Sequence, residues 1–252
     1  MSFVCLMYHS LSDGRFPDRK YLKYTSTRGL FKDHLHALLE DGYKIGSLAD
    51  LWQYHQKKEA LPQKFCVLTF DDGHKSSLEM AEIMRDSGVF GTFFLTRDYC
   101  QNRDDFLKEN EILYLSAAGF DFGTHGVTHK ALSHMPSEQM RAELHDSKLW
   151  LEDILGRTIL SISLPAGQGN PEVIRAAFEI GYAFVGNSKE KLNEFQQIPY
   201  EINRFCILSN HRKETVKRIA QGSVLYIWQR NIRAALLYLP KRLLRSYDVT
   251  RG

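Results

Sequence analysis

Residues 67–73 have the sequence VLTFDDG, in which two carboxylates, Asp71 and Asp72, directly follow a run of apolar residues. The apolar run predicts a buried strand. In parallel α/β folds the carboxyl ends of the strands form the edge where active sites collect. Two carboxylates pointing into one pocket would repel each other unless a cation accompanied them. The structural alternative is a strand-to-helix turn in which one aspartate caps the following helix.

Strand-like and helical patterns alternate on both sides of this stretch. Such alternation predicts βαβ units and a parallel sheet covered by helices on both faces, which explains strands that are apolar throughout. The pattern alone does not decide between a closed barrel and an open sheet, but no linker or internal repeat divides the chain. The predicted strands are residues 3–8, 65–70, 91–95, 120–124, 159–164, 182–185 and 204–208, and the predicted helices are residues 28–41, 76–87, 107–118, 137–155 and 172–180.

A second stretch, residues 122–129 with the sequence FGTHGVTH, follows another predicted strand and carries His125 and His129. Two histidines four positions apart can face one metal from a single helical turn, although such a pair is often ordinary polar surface. One carboxylate and two imidazoles would leave open positions on a divalent metal for water and substrate, as hydrolysis requires. The two stretches together therefore favour a hydrolytic metal site.

These stretches resemble the first two motifs of the polysaccharide deacetylases, which are the NodB-homology family or carbohydrate esterase family 4. Residues 69–73 (TFDDG) match the whole first motif, and His125 and His129 match the metal-binding histidine pair. The similarity also includes intervening sequence such as residues 91–95 and 151–156. It extends over residues 1–210, and the combination of motifs is highly specific.

The resemblance implies a deformed (β/α) barrel with about seven parallel strands. It also implies a metal-dependent hydrolase that removes acetyl groups from N-acetylated amino sugars of a polysaccharide or glycan precursor. Asp71 would be the general base and Asp72, His125 and His129 the metal ligands, with Zn²⁺ as the usual ion and Co²⁺ or Ni²⁺ as substitutes. An O-acetyl esterase acting on glycans and a catalytically silent glycan-binding module are the alternatives.

The third family motif, normally Arg-x-Pro-x-Gly, is incomplete in this chain. Residues 163–167 have the sequence SLPAG, so Ser163 stands where the arginine would be. The resemblance still places Pro165 and Ala166 at the substrate, and the backbone N–H of Ala166 can donate to an oxyanion without any side chain. Arg204, at the start of a predicted strand, is the candidate for the missing catalytic arginine. An ordinary surface arginine is the alternative interpretation.

The late histidine motif that supplies the family's general acid is also absent in clean form. His9 is the candidate acid, because the end of the first strand would present it at the same rim as Asp71. A subgroup that includes biofilm poly-N-acetylglucosamine deacetylases resembles this chain in its early Met-Tyr-His and its lack of the late motif. Tyr8 is accordingly placed with the substrate-binding residues. A histidine that caps the strand and binds the backbone is the alternative.

Charge divides the chain into a mildly acidic body and a basic tail. Residues 212–252 carry ten Lys and Arg against two acids, a net +8, whereas residues 1–211 carry −5. We therefore predict a catalytic domain over 1–211 and a basic amphipathic helical extension over 212–252. Residues 223–252 are typical of a helix packed on the barrel and also of one lying on an anionic membrane surface. A nucleic-acid partner is not expected, since no nucleic-acid-binding fold is apparent.

Composition sets the remaining limits. Hydrophobic residues make up 43% of the 252 residues, which suits a sizeable core and excludes the disordered class. The four scattered cysteines predict buried free thiols, and most histidines outside the motifs are expected to face solvent. No secretory signal or membrane-spanning run is visible, so a cytoplasmic location, at most at the inner face of the membrane, is predicted. An acetylated saccharide is the expected partner, and no oligomeric state is predicted.

Overall fold

The computed structural model describes residues 2–12, 22–195 and 198–223, which form a sheet surrounded by helices. The strands are β1 (Ser2–Tyr8), β2 (Ser10–Ser12), β3 (Thr25–Thr27), β4 (Lys44–Gly46), β5 (Phe65–Phe70), β6 (Thr92–Leu95), β7 (Asp121–Thr124), β8 (Ser161–Ser163), β9 (Phe184–Gly186), β10 (Asn193–Glu194), β11 (Tyr200–Ile202) and β12 (Phe205–Cys206). The helices are α1 (Arg28–Glu40), α2 (Leu48–Lys57), α3 (Ser77–Asp86), α4 (Arg97–Asn102), α5 (Glu109–Ala117), α6 (Ser137–Leu155), α7 (Pro171–Glu179) and α8 (Lys213–Ala220).

Seven parallel strands form a nearly closed barrel, in the order β1, β5, β6, β7, β8, β9 and β11. The short β12 lies parallel to β1 on its free side, and β10 pairs with the start of β1 in the antiparallel sense. The chain runs directly from β11 into β12 and so bridges the two ends of the sheet. The predicted (β/α) barrel of about seven parallel strands is confirmed.

The barrel wall separates two apolar clusters, because successive residues of a strand face opposite sides of the sheet. A small cluster fills the barrel interior, and α2 contributes two leucines to it. A larger cluster lies between the outer surface of the barrel and the surrounding helices. The inner cluster consists of Phe3, Cys5, Leu48, Leu51, Leu61, Phe65, Val67, Phe94, Ala183, Phe184 and Ile202.

Local sequence signals explain several helix ends. The helix α6 has the predicted bounds and ends at Gly156, whose left-handed backbone (φ 62°) suits glycine. The helix α7 begins after Asn170, whose side chain accepts the Val173 N–H at 2.9 Å, and has Pro171 at its first position. The short helices α2 and α4 and the strand β4 were not predicted. The described cysteines are free, and Cys5, Cys66 and Cys100 are buried.

The position of Tyr8 differs from its predicted place among the substrate-binding residues. It belongs to the outer set of β1 residues and is 1% exposed. Its ring stacks on Phe70 at 5.7 Å and meets Phe31 edge-on at 5.1 Å. Its hydroxyl lies 3.2 Å from Nδ1 of His34 on α1. Tyr8 therefore packs beneath α1 and does not face the rim where substrate would bind.

His34 is fully buried, an exception to the expectation that most histidines outside the motifs face solvent. Its Nε2 donates to the carbonyl of His211 at 2.8 Å, so its Nδ1 accepts the hydrogen bond from Tyr8. Burial lowers the pKa of His34, and the smaller opposing effects of the His211 carbonyl and Asp33 do not offset it. The ring is therefore neutral at neutral pH.

We expect His34 to make the fold sensitive to mild acid. Its pKa in the folded chain lies below the ordinary value of 6.5, so the unfolded chain takes up this proton at a higher pH. The free energy of unfolding should therefore fall as the pH decreases below that value. Chemical denaturation at neutral and mildly acidic pH should show a weaker pH dependence in His34→Gln. The control His36→Gln, at an exposed position of the same helix, should behave like the unaltered protein; equal slopes in all three would contradict the assignment.

The described part of the basic extension packs on the barrel domain. Val216 and Ile219 of α8 are buried in the outer cluster, and Lys217 pairs with Asp41 at the end of α1 at 2.8 Å. Residues 224–252 fall outside the described residues, so the membrane contact suggested for 223–252 stays a prediction, as does the boundary at 211–212. Within the described ranges no helix combines the length and the apolar character needed to cross a bilayer.

Candidate metal and active site

Three predicted metal ligands lie together at the carboxyl ends of neighbouring strands. Asp72 follows β5, His125 follows β7, and His129 lies four residues later. The Asp72 Oδ1 is 3.4 Å from Nε2 of His125 and 3.0 Å from Nε2 of His129. The three ligand atoms lie within 4.8 Å of one another. One ion can therefore contact all three.

The cluster fits a divalent cation on two grounds. Two ligands of a tetrahedral zinc ion lie about 3.4 Å apart, which matches the separations around Asp72. The Asp72 Oδ1 is buried and has no hydrogen-bond partner, although two ring nitrogens are close to it. His125 Nδ1 donates to the Ser163 carbonyl at 2.8 Å, which leaves the Nε2 lone pair directed at the cluster. These are the features of ligands arranged around a cation rather than around a shared proton.

Electrostatics keep the cluster carboxylate charged. Burial by itself would raise the pKa of Asp72, but its contacts with His125 and His129 hold that pKa well below the ordinary value. For His125, burial opposes the charged form, and the nearby carboxylates Asp71 and Asp72 nevertheless raise its pKa. The site therefore concentrates negative charge around two imidazoles, as a cation site requires.

Backbone strain also collects at this site. Among the described residues, the non-glycine positions with a left-handed backbone are Asp72 (φ 75°), His129 (φ 61°), Ala166 (φ 58°) and Lys58. The first three are predicted site residues. Each such conformation costs on the order of 1–3 kcal/mol and persists only where the surrounding structure fixes it. Three of these four strained positions are therefore at the predicted site.

Asp71, the predicted base, is held by two partners. Its Oδ1 accepts Nη1 of Arg204 at 2.7 Å, and its Oδ2 accepts Nη2 at 3.0 Å. Ser163 donates its hydroxyl to Oδ2 at 2.9 Å and accepts Nη2 of Arg204 at 2.7 Å. Burial would raise the pKa of Asp71, but the Arg204 guanidinium and the His125 ring keep it below the ordinary value. The carboxyl is therefore ionised, and its Oδ2 lies 3.9 Å from Nε2 of His125.

Arg204 reaches this position from inside the barrel. It is 1% exposed, which excludes the alternative of a surface arginine. Its Nε donates to the Asn187 carbonyl at 3.0 Å, and its guanidinium lies over the Phe94 ring at 5.4 Å. A Cβ at Gly186 would stand 3.0 Å from Nε, so the glycine makes room for this side chain. The arginine is thus packed rigidly beneath the predicted base.

His9 lies at the same rim, directly after β1. Its ring packs on Tyr24 at 4.9 Å, and its buried Nδ1 has no hydrogen-bond partner. Burial lowers the pKa of His9, while the nearby charges of Asp72 and Asp71 act in the opposite direction. The Asp71 N–H donates to the Tyr8 carbonyl at 2.9 Å, so His9 follows β1 at the same rim as the predicted base.

Pro165 and Ala166 form the neighbouring turn after β8. Pro165 is buried and would lie 3.5 Å from a Cβ at Gly126, next to the ligand-bearing loop. Ala166 is exposed at the rim. Pro165 thus borders the ligand-bearing loop, and Ala166 follows it in the same turn.

Several site residues were not assigned a role by the sequence. Ser163 was noted only as a departure from the third motif, yet it touches both Asp71 and Arg204. Tyr99 stacks on His129 at 5.4 Å and 25°, and Tyr24 packs on His9. No local motif marks either tyrosine, because each contact joins residues from different segments of the chain.

Comparison with known proteins identifies the family of this chain. The family model described as "Polysaccharide deacetylase" matches residues 58–185. The protein YxkH of Bacillus subtilis (strain 168), whose name assigns it to the polysaccharide deacetylases, is 28% identical over 184 residues. That alignment covers 70% of this chain and 61% of YxkH. This chain thus spans less than two thirds of the length of that relative.

Two further proteins extend the comparison. The poly-beta-1,6-N-acetyl-D-glucosamine N-deacetylase of Escherichia coli (strain K12) is 31% identical over 74 residues, which cover 29% of this chain and 11% of that enzyme. The deacetylase PplD of Streptococcus pyogenes superposes with a TM-score of 0.79 at 21% identity, covering 87% of this chain and 98% of PplD. The solved structure shows a shared fold, and the family match extends over half of the sequence. This chain belongs to the polysaccharide deacetylase family.

Proposed function

We propose that this protein is a metal-dependent hydrolase that removes acetyl groups from N-acetylated amino sugars of a polysaccharide or glycan precursor. One observation carries the proposal: the arginine-held carboxylate of Asp71 lies beside a convergent Asp72, His125 and His129 cluster. A silent binding module would have no use for a buried carboxylate that two partners orient towards the cation site. A hydrolase needs such a base within reach of the attacking water.

Asp72, His125 and His129 would hold the ion, and Zn²⁺ suits this set of one carboxylate and two imidazoles, with Co²⁺ or Ni²⁺ as substitutes. When bound, such an ion polarises the acetyl carbonyl and lowers the pKa of water in the site. Three protein ligands would leave coordination positions open for water and substrate. The proton transfers would then be carried out by Asp71 and His9.

Asp71 would take a proton from the attacking water. Its Oδ2 lies 3.9 Å from Nε2 of His125. Arg204 and Ser163 fix the orientation of the carboxyl group through three hydrogen bonds. The carboxylate therefore meets the reacting water without a reorientation step, which is the benefit of a rigidly held base.

The developing oxyanion needs a hydrogen-bond donor, and the leaving nitrogen needs an acid. The backbone N–H of Ala166, in a turn with a strained backbone, would donate to the oxyanion. His9 would protonate the leaving amine, because its partnerless Nδ1 lies in the same site and Tyr24 holds the ring. Pro165 would keep the turn rigid.

The substrate we propose is an acetylated saccharide. The Escherichia coli relative is named for poly-beta-1,6-N-acetyl-D-glucosamine, and oligomers of N-acetylglucosamine are therefore the first compounds to test. An O-acetylated glycan would enter the same hydrolytic site. Comparing the two acetyl linkages on otherwise similar sugars separates an N-deacetylase from an O-acetyl esterase.

We expect acetate release from N-acetylglucosamine oligomers to disappear on chelation and to return on addition of Zn²⁺ or Co²⁺. Asp72→Ala should bind Zn²⁺ far more weakly and remain inactive after loading, because a primary ligand is lost. Metal content and acetate are measured on the same samples. Tight metal binding without acetate from N- or O-acetylated sugars would contradict the hydrolase and favour a binding module. Acetate release unaffected by chelation would contradict metal dependence.

A further inference from the structure

A buried carboxylate from α6 holds the loop between the two histidine ligands. The Oε2 of Glu143 accepts the backbone N–H of Val127 at 2.7 Å and that of Thr128 at 3.0 Å. Its Oε1 accepts the Thr128 hydroxyl at 2.6 Å. Glu143 is 7% exposed, so these contacts are shielded from water. Hydrogen bonds from several donors to one carboxylate are among the stronger ones in proteins.

The opposite side of the same loop is held by α4. The Gly126 carbonyl accepts the N–H of Arg97 at 3.2 Å, and the Val127 carbonyl accepts the N–H of Asp98 at 3.0 Å. The α4 backbone therefore binds the carbonyl groups of the loop, while Glu143 binds its N–H groups. The loop is therefore held from both sides, and removing the Glu143 carboxylate would leave its N–H groups without these partners.

The ligand geometry depends on this support. Gly126 (φ 75°) and His129 (φ 61°) both have left-handed backbones. Glu143 and α4 bind residues 126–128, which run from Gly126 to the residue before His129. A Cβ at Gly126 would stand 3.1 Å from Oε2 of Glu143, so the carboxylate packs directly against the turn. Without these bonds the strained backbone of His129 would be free to relax.

We propose that Glu143 is a positioning residue for the metal site: it fixes the strained turn that directs His129, and so raises the affinity for the metal. The inference rests on the proposed function, because it assumes that the cluster of Asp72 and the two histidines binds a cation. Groups that orient metal ligands from outside typically contribute about 10–100-fold in affinity. A loss of that size is what we expect on removing the Glu143 carboxylate.

The experiment measures Zn²⁺ affinity by competition with a chromophoric chelator, in the whole protein and in five variants. Glu143→Ala should bind Zn²⁺ about 10–100-fold more weakly. Glu143→Gln should stay close to the unaltered protein, because its amide oxygen can still accept both backbone N–H groups. Thr128→Val removes only the hydroxyl bond and should show a smaller loss in the same direction. This variant keeps the test valid if Glu143→Ala does not fold.

The matched control is Glu152→Ala on the same helix. Its Oε1 accepts the Ile159 N–H at 2.8 Å and pairs with Lys148, away from the ligand loop. Loss of this carboxylate should lower thermal stability without changing Zn²⁺ affinity. The visible absorption of the Co²⁺-loaded proteins reports ligand geometry and should change in Glu143→Ala but not in Glu152→Ala.

Three outcomes would overturn the inference. Unchanged Zn²⁺ affinity in Glu143→Ala would show that the loop keeps its shape without the carboxylate. An equal loss in Glu152→Ala would show that the effect is general loosening of α6. If the unaltered protein binds no Zn²⁺, or Asp72→Ala binds it equally well, the proposed metal site itself is wrong and this inference falls with it.

Discussion

Asp71→Asn should remove acetate release while leaving the metal site loaded. The asparagine has nearly the shape of aspartate but does not take a proton from water near neutral pH. General bases contribute on the order of 10²–10⁴-fold to hydrolytic rates, and a loss in that range is expected. Asp72, His125 and His129 are unaltered in this variant, so Zn²⁺ affinity should change little. The measurement is acetate release from N-acetylglucosamine oligomers at equal metal content.

Asp71→Asn is best compared with Asp72→Ala. The two aspartates are neighbours in the chain, yet one should lose catalysis with metal bound and the other should lose the metal. Circular dichroism and metal content are needed for both, because Asp71→Asn also leaves Arg204 with a neutral partner. Full activity in Asp71→Asn with Zn²⁺ bound would show that another group takes the proton. Loss of metal in that variant would place Asp71 among the ligands instead.

The parts of the fold and site that the sequence predicts are those encoded locally. The strand at 65–70 and the helix at 137–155 have the predicted bounds, because an apolar run and an amphipathic period are properties of neighbouring residues. Metal ligands that directly follow strands are equally predictable. In a parallel barrel all carboxyl ends meet at one rim, so residues following different strands come together without knowledge of the packing.

The direction of Tyr8 was not predictable in this way. In the structure Tyr8 of β1 is paired with Phe70 of β5, so both face the outer helices, and the following residues, His9 and Asp71, lie at the rim. A shift of one residue in this register would turn Tyr8 to the opposite face. The sequence of β1 is apolar on both faces and contains no signal for that register.

The support around the site depends on contacts between distant parts of the chain. Arg204 and Asp71 are 133 residues apart, and Glu143 reaches its loop from a helix that carries no motif. Local patterns hold no information about such contacts. The one local signal was the serine at position 163 in place of the motif arginine. A buried base without a charged partner is costly, so an arginine from elsewhere in the chain was expected to pair with Asp71. Ser163 turns out to complete the contact between Arg204 and Asp71 rather than to leave it unfilled.

Arg204→Met should be the most destabilising substitution at the site. Methionine is close in length and apolar, so packing against Phe94 is largely kept while the charge is lost. Asp71 would then be a buried carboxylate without its cation. Breaking a buried ion pair from one side costs about 3–5 kcal/mol, and a loss of that order is expected in the free energy of unfolding. Acetate release should also fall, because the base loses its fixed orientation.

The double variant Asp71→Asn with Arg204→Met separates the two effects. Removing both charges leaves neither partner buried alone, so the double variant should be more stable than the sum of the two single losses predicts. The double variant should nevertheless remain inactive, because it still lacks the carboxylate that acts as the base. Urea denaturation of the four proteins gives the coupling free energy, and acetate release is measured in parallel. Strictly additive free energies would mean that Arg204 stabilises the barrel through packing alone. Recovery of activity together with stability would mean that Asp71 serves the fold and not the reaction.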